Sequence, residues 1–295
     1  MKNAILLICS LTAFVFGGIF RKKYVSSVQS GARPLYLFNA VSGVTAAVIL
    51  FLWGGTEGVS VFTLLLGVVF GLTTSLNTLS NMKALQYGPL SYTTVINSFS
   101  TIITAISGVL FFGESIGWSQ VVGIALMLIS FTLATEKKAD EKKTSLKWLL
   151  FSILCFVCTG AIGIMQKVHQ SSAHKHELNA FLVIAFLVSS LFSLLLFLLG
   201  QKTNERAVAS APVGRNILLI SMLICGAAFA VNNKLNLYLS GVMDSAIFFP
   251  IVNGGGLVLT TLAAVLVFRE KLSKKQWVGV AVGILSVLFL CNTFG

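Results

Sequence analysis

The segment FGESIGWSQVVG at residues 112–123 recurs as FREKLSKKQWVG at residues 268–279, which lies 156 residues later. A match at a fixed offset, without a gap, indicates an internal duplication. The sequence therefore predicts two homologous halves, residues 1–135 and 146–295, joined by a charged linker at 136–145. The same offset pairs further residues: Asn77 with Asn233, Asn97 with Asn253, Thr104 with Thr260, and Ser130 with Ser286.

The composition excludes a water-soluble domain. Of the 295 residues, 56% are hydrophobic and only 10% are charged, and the mean hydropathy is +0.92. Soluble domains contain about 25% charged residues. The net charge of +12 does not indicate a nucleic-acid partner, because most basic residues lie in short connections beside apolar stretches. The predicted surroundings are a lipid bilayer.

Ten stretches have the length and composition of membrane-spanning helices, which need about 20 mostly apolar residues. The sequence predicts an all-α membrane protein in which no acidic residue lies within a span, and Lys234 is the basic residue that lies well inside one. The predicted spans are 4–20, 35–53, 61–80, 91–112, 118–135, 146–166, 178–200, 216–240, 245–268 and 276–292.

The basic residues predict an orientation in the cell membrane. The connections after the odd-numbered spans, together with Lys147 at the start of the sixth span, contain 17 Lys and Arg residues, whereas the opposite side contains three. Connections rich in Lys and Arg face the cytoplasm. Both termini are therefore predicted to lie outside.

Each predicted half contains five spans, which is an odd number, so the second half enters the membrane the opposite way up. The two halves are inverted-topology repeats. Transporters built in this way commonly bind their substrate between the repeats near the bilayer midplane and move it by alternating access.

Short motifs that recur in both halves carry a family resemblance. They are ALQYGPL at 84–90, FGESI at 112–116 and QVVG at 120–123, with the copies FP at 249–250, FREKL at 268–272 and QWVG at 276–279. The chain resembles the drug/metabolite transporter superfamily in its ten-helix form with two EamA-type domains. The resemblance implies a central cavity formed by both halves and transport of small organic solutes, but no particular substrate.

The chain departs from that pattern in two ways. Characterised ten-helix members of the superfamily generally have both termini inside, opposite to the orientation that the loop charges predict. The small multidrug exporters of the superfamily use a first-helix Glu eight residues before a Lys, and here Phe14 and Thr159 occupy that position before Lys22 and Lys167. Proton antiport through such a Glu is therefore not expected, and a permanent cation would be recognised by aromatic faces alone.

Polar residues inside the spans are the candidates for solute binding. Asn97 and Thr101 lie on one polar face of the fourth span, and Asn253 follows Pro250 in the ninth, where the proline predicts an interruption of the helix. Hydrogen bonding between helices is the alternative for Asn97 and Thr101, and a packing kink is the alternative for Asn253.

Four further residues complete the predicted site. Asn77 and Asn233 form a second repeat-related pair. Lys234 either reaches the membrane interface with its long side chain or binds an anionic group of the solute. Tyr92 and Phe248, related by the repeat, either line the cavity or anchor the helices at the interface. The predicted substrate-binding residues are thus Asn77, Asn97, Asn233, Asn253, Lys234, Thr101, Tyr92 and Phe248.

No catalytic residue, cofactor or metal site is predicted. His169, His174 and His176 lie close together in the sequence and are interpreted as a solvated connection rather than a weak metal site. Cys155 and Cys158 are interpreted as packing residues. Acid-free spans argue against an intramembrane enzyme, which needs convergent titratable groups.

The sequence thus predicts a secondary transporter of a small polar or zwitterionic organic metabolite. The alternatives are a membrane scaffold or accessory subunit that transports nothing, and a lipid flippase. The predicted partners are a small-molecule substrate and the lipid bilayer, without nucleic acid, and the predicted assembly is a monomer or homodimer.

Overall fold

The computed structural model describes residues 2–27, 32–56, 58–87, 90–134, 145–199, 215–269 and 272–291, so the predicted linker lies outside it except for residue 145. Every long regular element in these ranges is helical. The helices are α1 (Lys2–Ser27), α2 (Ala32–Gly54), α3 (Val61–Tyr87), α4 (Leu90–Ser98), α5 (Ser100–Phe112), α6 (Trp118–Ala134), α7 (Leu146–Ser171), α8 (Leu178–Leu199), α9 (Arg215–Val242), α10 (Ser245–Pro250), α11 (Gly256–Phe268) and α12 (Lys274–Cys291).

The ten predicted spans are confirmed within the described ranges. In these ranges, nine segments are long and apolar enough to cross a membrane. The tenth, Trp118–Ala134, has 17 residues, which is about the minimum length of a spanning helix. Large side chains such as Leu52 and Leu266 are about four-fifths exposed, as lipid-facing residues are. The chain is a multi-pass membrane protein.

The chain forms two compact units, each assembled from both halves. Unit 1 comprises Met1–Ser75 and His169–Tyr238, and unit 2 comprises Leu76–Val168 and Leu239–Gly295. The compact units group segments that contact each other, whereas the two repeats are defined by sequence similarity. The predicted repeat boundaries at 135 and 146 therefore stay a prediction.

In unit 2, α6 packs antiparallel against its repeat equivalent, α12. The Ser130 hydroxyl donates to the Gly279 carbonyl at 2.7 Å, and the Ser286 hydroxyl donates to the Gly123 carbonyl at 2.6 Å. Each Ser is the repeat equivalent of the other, and so is each Gly, so the two bonds are equivalent under a two-fold relation. Antiparallel contact between equivalent helices is the property expected of inverted repeats.

Two helices of unit 2 are interrupted. The predicted interruption at Pro250 is confirmed: α10 ends there, a π-helical turn spans Ile251–Gly255, and α11 follows. A second break, between α4 and α5, was not predicted. There the Phe99 N–H divides its hydrogen bond between the carbonyls of Val95 and Ile96, each at 3.2 Å, and this tightens the turn.

In unit 1, a buried carboxylate holds the start of α3. Oε2 of Glu177 accepts hydrogen bonds from the Ser60 N–H at 2.9 Å and from the Ser60 hydroxyl at 2.7 Å. His169 does not belong to a solvated connection, which corrects the sequence interpretation. It lies in α7, fully buried, with its ring 4.5 Å from that of Phe181.

Gly279 is a strict requirement of the α6–α12 contact. A Cβ there would lie 2.6 Å from the Ala134 backbone nitrogen, and a backbone atom cannot move aside as a flexible side chain does. We expect Gly279→Ala to destabilise the protein by about 1–3 kcal/mol, as overpacking does, and to lower its unfolding temperature in detergent. Ala281→Val, which adds bulk at an exposed position of α12, is the control. Equal unfolding temperatures for both variants would contradict the packing described.

Candidate functional site

The candidate site is a polar cluster in unit 2, where α3, α4 and α7 meet. Oδ1 of Asn97 lies 2.7 Å from the Thr159 hydroxyl, and Oδ1 of Asn77 lies 2.9 Å from the Cys155 sulfur. Asn77, Asn97 and Thr159 are half-buried, whereas Cys155 is fully buried. The structure thus brings two of the predicted residues together, and it adds two that were not predicted.

Several acceptors share the hydroxyl and thiol protons of this cluster. The Thr159 hydroxyl also reaches the Cys155 carbonyl at 2.9 Å and Oδ1 of Asn77 at 3.4 Å, and the Cys155 thiol also reaches Oδ1 of Asn97 at 3.5 Å. A hydroxyl and a thiol supply one proton each, and the thiol is a weak donor. The two carboxamide oxygens therefore retain capacity to accept hydrogen bonds from a ligand.

The helices that form the cluster contain no carboxylate. No acidic residue occurs in the sequence of α3, α4 or α7. Asn81, one turn beyond Asn77, donates its amide to the Cys155 sulfur at 3.7 Å. The cluster is therefore built from neutral groups, which suit an uncharged or internally balanced ligand better than a single charge.

Asn253 lies in the π-helical turn after α10 and is exposed. Its amide donates to the Thr101 hydroxyl of α5 at 2.9 Å, and Thr101 itself is 1% exposed. Single π turns inside helices occur frequently at functional sites. The structure thus brings the predicted residues Asn253 and Thr101 together.

In unit 1, polar residues of α9 contact α1. The Ser10 hydroxyl donates to Oδ1 of Asn236 at 2.6 Å and accepts from the Asn232 amide at 3.0 Å. The predicted residue Asn233 instead donates to the Phe229 carbonyl of its own helix at 3.0 Å. Ser10 is the repeat equivalent of Cys155, at an offset of 145 residues. That equivalence relates the two positions in the sequence, but it identifies the hydrogen-bond partner of neither.

The remaining predicted residues occupy separate places. Nζ of Lys234 lies 4.0 Å from the centroid of the Trp53 ring in unit 1, a contact compatible with the interfacial interpretation of this lysine. Phe248, in unit 2, is 1% exposed and packs edge-on against Phe249 at 4.9 Å. The side chain of Tyr92 lies outside the described residues.

The structure corrects one further sequence interpretation. The sequence analysis treated Cys155 as a packing residue, but its thiol donates a hydrogen bond to an Asn carboxamide in the centre of the cluster. The interpretation of Cys158 is not affected, since it is buried in α7.

Three comparisons relate the chain to other proteins. Glucose uptake protein GlcU of Bacillus subtilis is 21% identical over 295 residues, covering 96% of this chain and 95% of that protein. An uncharacterized protein of Haemophilus influenzae is 22% identical over 209 residues, covering 70% of this chain and 68% of the other. A protein of known crystal structure, 13% identical, superimposes with a TM-score of 0.74 over 98% of this chain and 96% of that one, so it shares the fold. The profile of the EamA-like transporter family matches residues 1–135 and again residues 146–292, and the chain therefore belongs to that family.

Proposed function

We propose that this protein moves a small polar or zwitterionic organic solute across the cytoplasmic membrane by alternating access. The observation that supports the proposal most strongly is the neutral cluster of Asn77, Asn97, Cys155 and Thr159 within membrane-spanning helices. Amides inside a bilayer are costly to bury, and their retention is characteristic of solute pathways. The proposed orientation places both termini outside, and the proposed activity is transport without chemical conversion.

The carboxamides define the chemistry of the solute. The oxygens of Asn77 and Asn97 accept hydrogen bonds and their NH2 groups donate them, so a suitable solute presents groups that both donate and accept, as hydroxyls do. A polyhydroxylated neutral molecule, such as a sugar, meets this requirement without introducing a net charge. The similarity to a glucose uptake protein supports the same choice. We therefore place sugars and polyols first among the candidate solutes, ahead of zwitterionic amino acids.

The arrangement of the helices supports alternating access. The two repeats are inverted, and Asn97 and Asn253 are repeat equivalents that lie beside interrupted helices in unit 2. Discontinuous helices at corresponding positions of inverted repeats mark the binding site in several transporter folds.

Purified protein tests the proposed function directly. We expect one of the classes sugars, polyols and zwitterionic amino acids to raise the unfolding temperature, because a ligand that binds only the folded state stabilises it. The same solute should then exchange across proteoliposomes that contain the protein. Stabilisation by lipids alone would favour a flippase. A complete absence of stabilisation and exchange across the panel would favour the scaffold interpretation.

Thr159 provides a residue-specific test. Thr159→Val removes the hydroxyl that faces Asn77 and Asn97 while preserving shape, and an unpartnered polar group costs about 1–3 kcal/mol. We expect the apparent KM for the transported solute to rise roughly fivefold or more. The matched control is Thr132→Val, since the exposed Thr132 hydroxyl donates only within its own helix, to the Ile129 carbonyl. Equal KM values for the two variants would argue against the cluster.

Substitution of Lys234 distinguishes recognition of an anionic group of the solute from anchoring at the membrane interface. If its ammonium binds an acidic group of a zwitterionic solute, Lys234→Ala abolishes transport and Lys234→Arg retains part of it. We expect this pattern for a zwitterionic solute and near-wild-type rates for a neutral sugar, measured as initial uptake rates at equal protein abundance. Wild-type rates in both variants would remove Lys234 from the solute site and leave its contact with Trp53 as its role.

A further inference from the structure

Unit 2 contains a buried ion pair outside the amide cluster. Nζ of Lys167 lies 2.6 Å from Oε1 of Glu114, and the two side chains are 9% and 7% exposed. Burying two charges costs several kcal/mol per ion before their attraction is counted, so such a pair contributes little net stability compared with apolar residues of the same size. Its presence therefore calls for a role other than stability.

The ion pair ties three segments of unit 2 together. Glu114 follows α5, and its Oε2 accepts a hydrogen bond from the Ser245 N–H at 2.7 Å, while Oε1 accepts one from the Ser245 hydroxyl at 3.2 Å. Lys167, near the end of α7, also donates to the Met243 carbonyl at 2.8 Å. The pair thus fastens the connection between α9 and α10 to both α5 and α7. We call this set of contacts the latch.

The latch is connected to Asn253 through α10. Ser245 begins α10, which ends at Pro250 and is followed directly by the π-helical turn that contains Asn253. At about 1.5 Å per residue, Asn253 lies roughly 12 Å along the axis from Ser245. Glu114 and Lys167 fix the start of the segment that carries Asn253 and are therefore candidate positioning residues for it.

A glycine makes room for the latch. A Cβ built on Gly108 of α5 would overlap Oε2 of Glu114 and would lie 2.9 Å from Cβ of Ser245. The absence of a side chain at Gly108 allows the carboxylate to fold back over α5 and reach α10. The backbone of α5 is therefore adapted to the closed latch.

Both latch residues recur in the internal duplication. The offset of 156 residues pairs Glu114 with Glu270, and the separate offset of 145 residues pairs Lys167 with Lys22. The two matches have different offsets, yet one residue from each of them, Glu114 and Lys167, forms the ion pair. Glu270 and the side chain of Lys22 lie outside the described residues. Because the repeats are inverted, the recurring residues belong to connections predicted on opposite faces of the membrane.

From these observations we infer that the Glu114–Lys167 pair is a releasable latch, which closes the solute pathway at the face where Glu114 lies and opens in each transport cycle. The inference rests on the proposed alternating-access function. The contrasting account is a permanent structural clamp. The two accounts differ in what happens to water access when the pair is removed.

Labelling of a cysteine at position 253 measures that access without a solute. In a chain whose five cysteines are replaced, Asn253→Cys is reacted with a membrane-impermeant maleimide from each face of sealed vesicles. The double variant E114Q/K167M removes both charges together and so avoids leaving one of them buried alone. We expect labelling from the Glu114 face to rise about tenfold, a population shift equivalent to about 1.4 kcal/mol, and labelling from the other face to fall.

Three further variants sharpen the measurement. K167R retains the charge pair and should label at the parental rate. D244N is the matched control, because Asp244 is exposed, adjoins Ser245 and makes no side-chain capping hydrogen bond to α10. This variant should also label at the parental rate. S245A removes only the hydroxyl bond to Glu114, so it should raise labelling by a smaller factor. If the double variant does not fold, the labelling rate of S245A distinguishes the latch from the clamp.

Parental labelling rates from both faces in E114Q/K167M and in S245A would overturn the latch, even if the unfolding temperature fell, because a structural clamp affects stability alone. The proposed function can fail while the latch is supported. If no polar solute exchanges across proteoliposomes but labelling shifts as expected, the latch is retained and the proposed class of solute is rejected.

Discussion

A polar side chain in the hydrocarbon core of a bilayer must find a partner, and this requirement governs the structure. Lipid cannot satisfy an amide, so the helices that present Asn77 and Asn97 must bring complementary groups to them. Thr159 and Cys155 supply one hydroxyl proton and one thiol proton to the two carboxamide oxygens. The cluster is held together, yet it keeps capacity to exchange hydrogen bonds with water or with a polar molecule.

The duplication explains how one chain packs equivalent helices against each other. The reciprocal bonds between Ser130 and Gly279 and between Ser286 and Gly123 join equivalent positions of α6 and α12, which pack antiparallel. Both compact units contain segments of both halves of the chain.

The sequence predicted the helices well because the bilayer imposes a length and an apolar composition on each of them. The interruption at Pro250 was predictable, since proline removes a backbone donor. The break at Phe99 was not, because nothing in its sequence forbids a continuous helix. The roles of Cys155 and Ser10 were missed for another reason. The role of a small polar residue depends on which side chains lie opposite it, and only the tertiary structure shows them.

The central claim is that the amide cluster faces water at some stage of the cycle and is not packed dry. The most direct measurement is the rate at which a water-soluble methanethiosulfonate modifies a cysteine at Thr159 in a chain without other cysteines. The account predicts modification from the aqueous phase that slows when a bound solute occupies the cluster. Modification no faster than that of a lipid-facing cysteine, and unchanged by every solute that stabilises the protein, would contradict it.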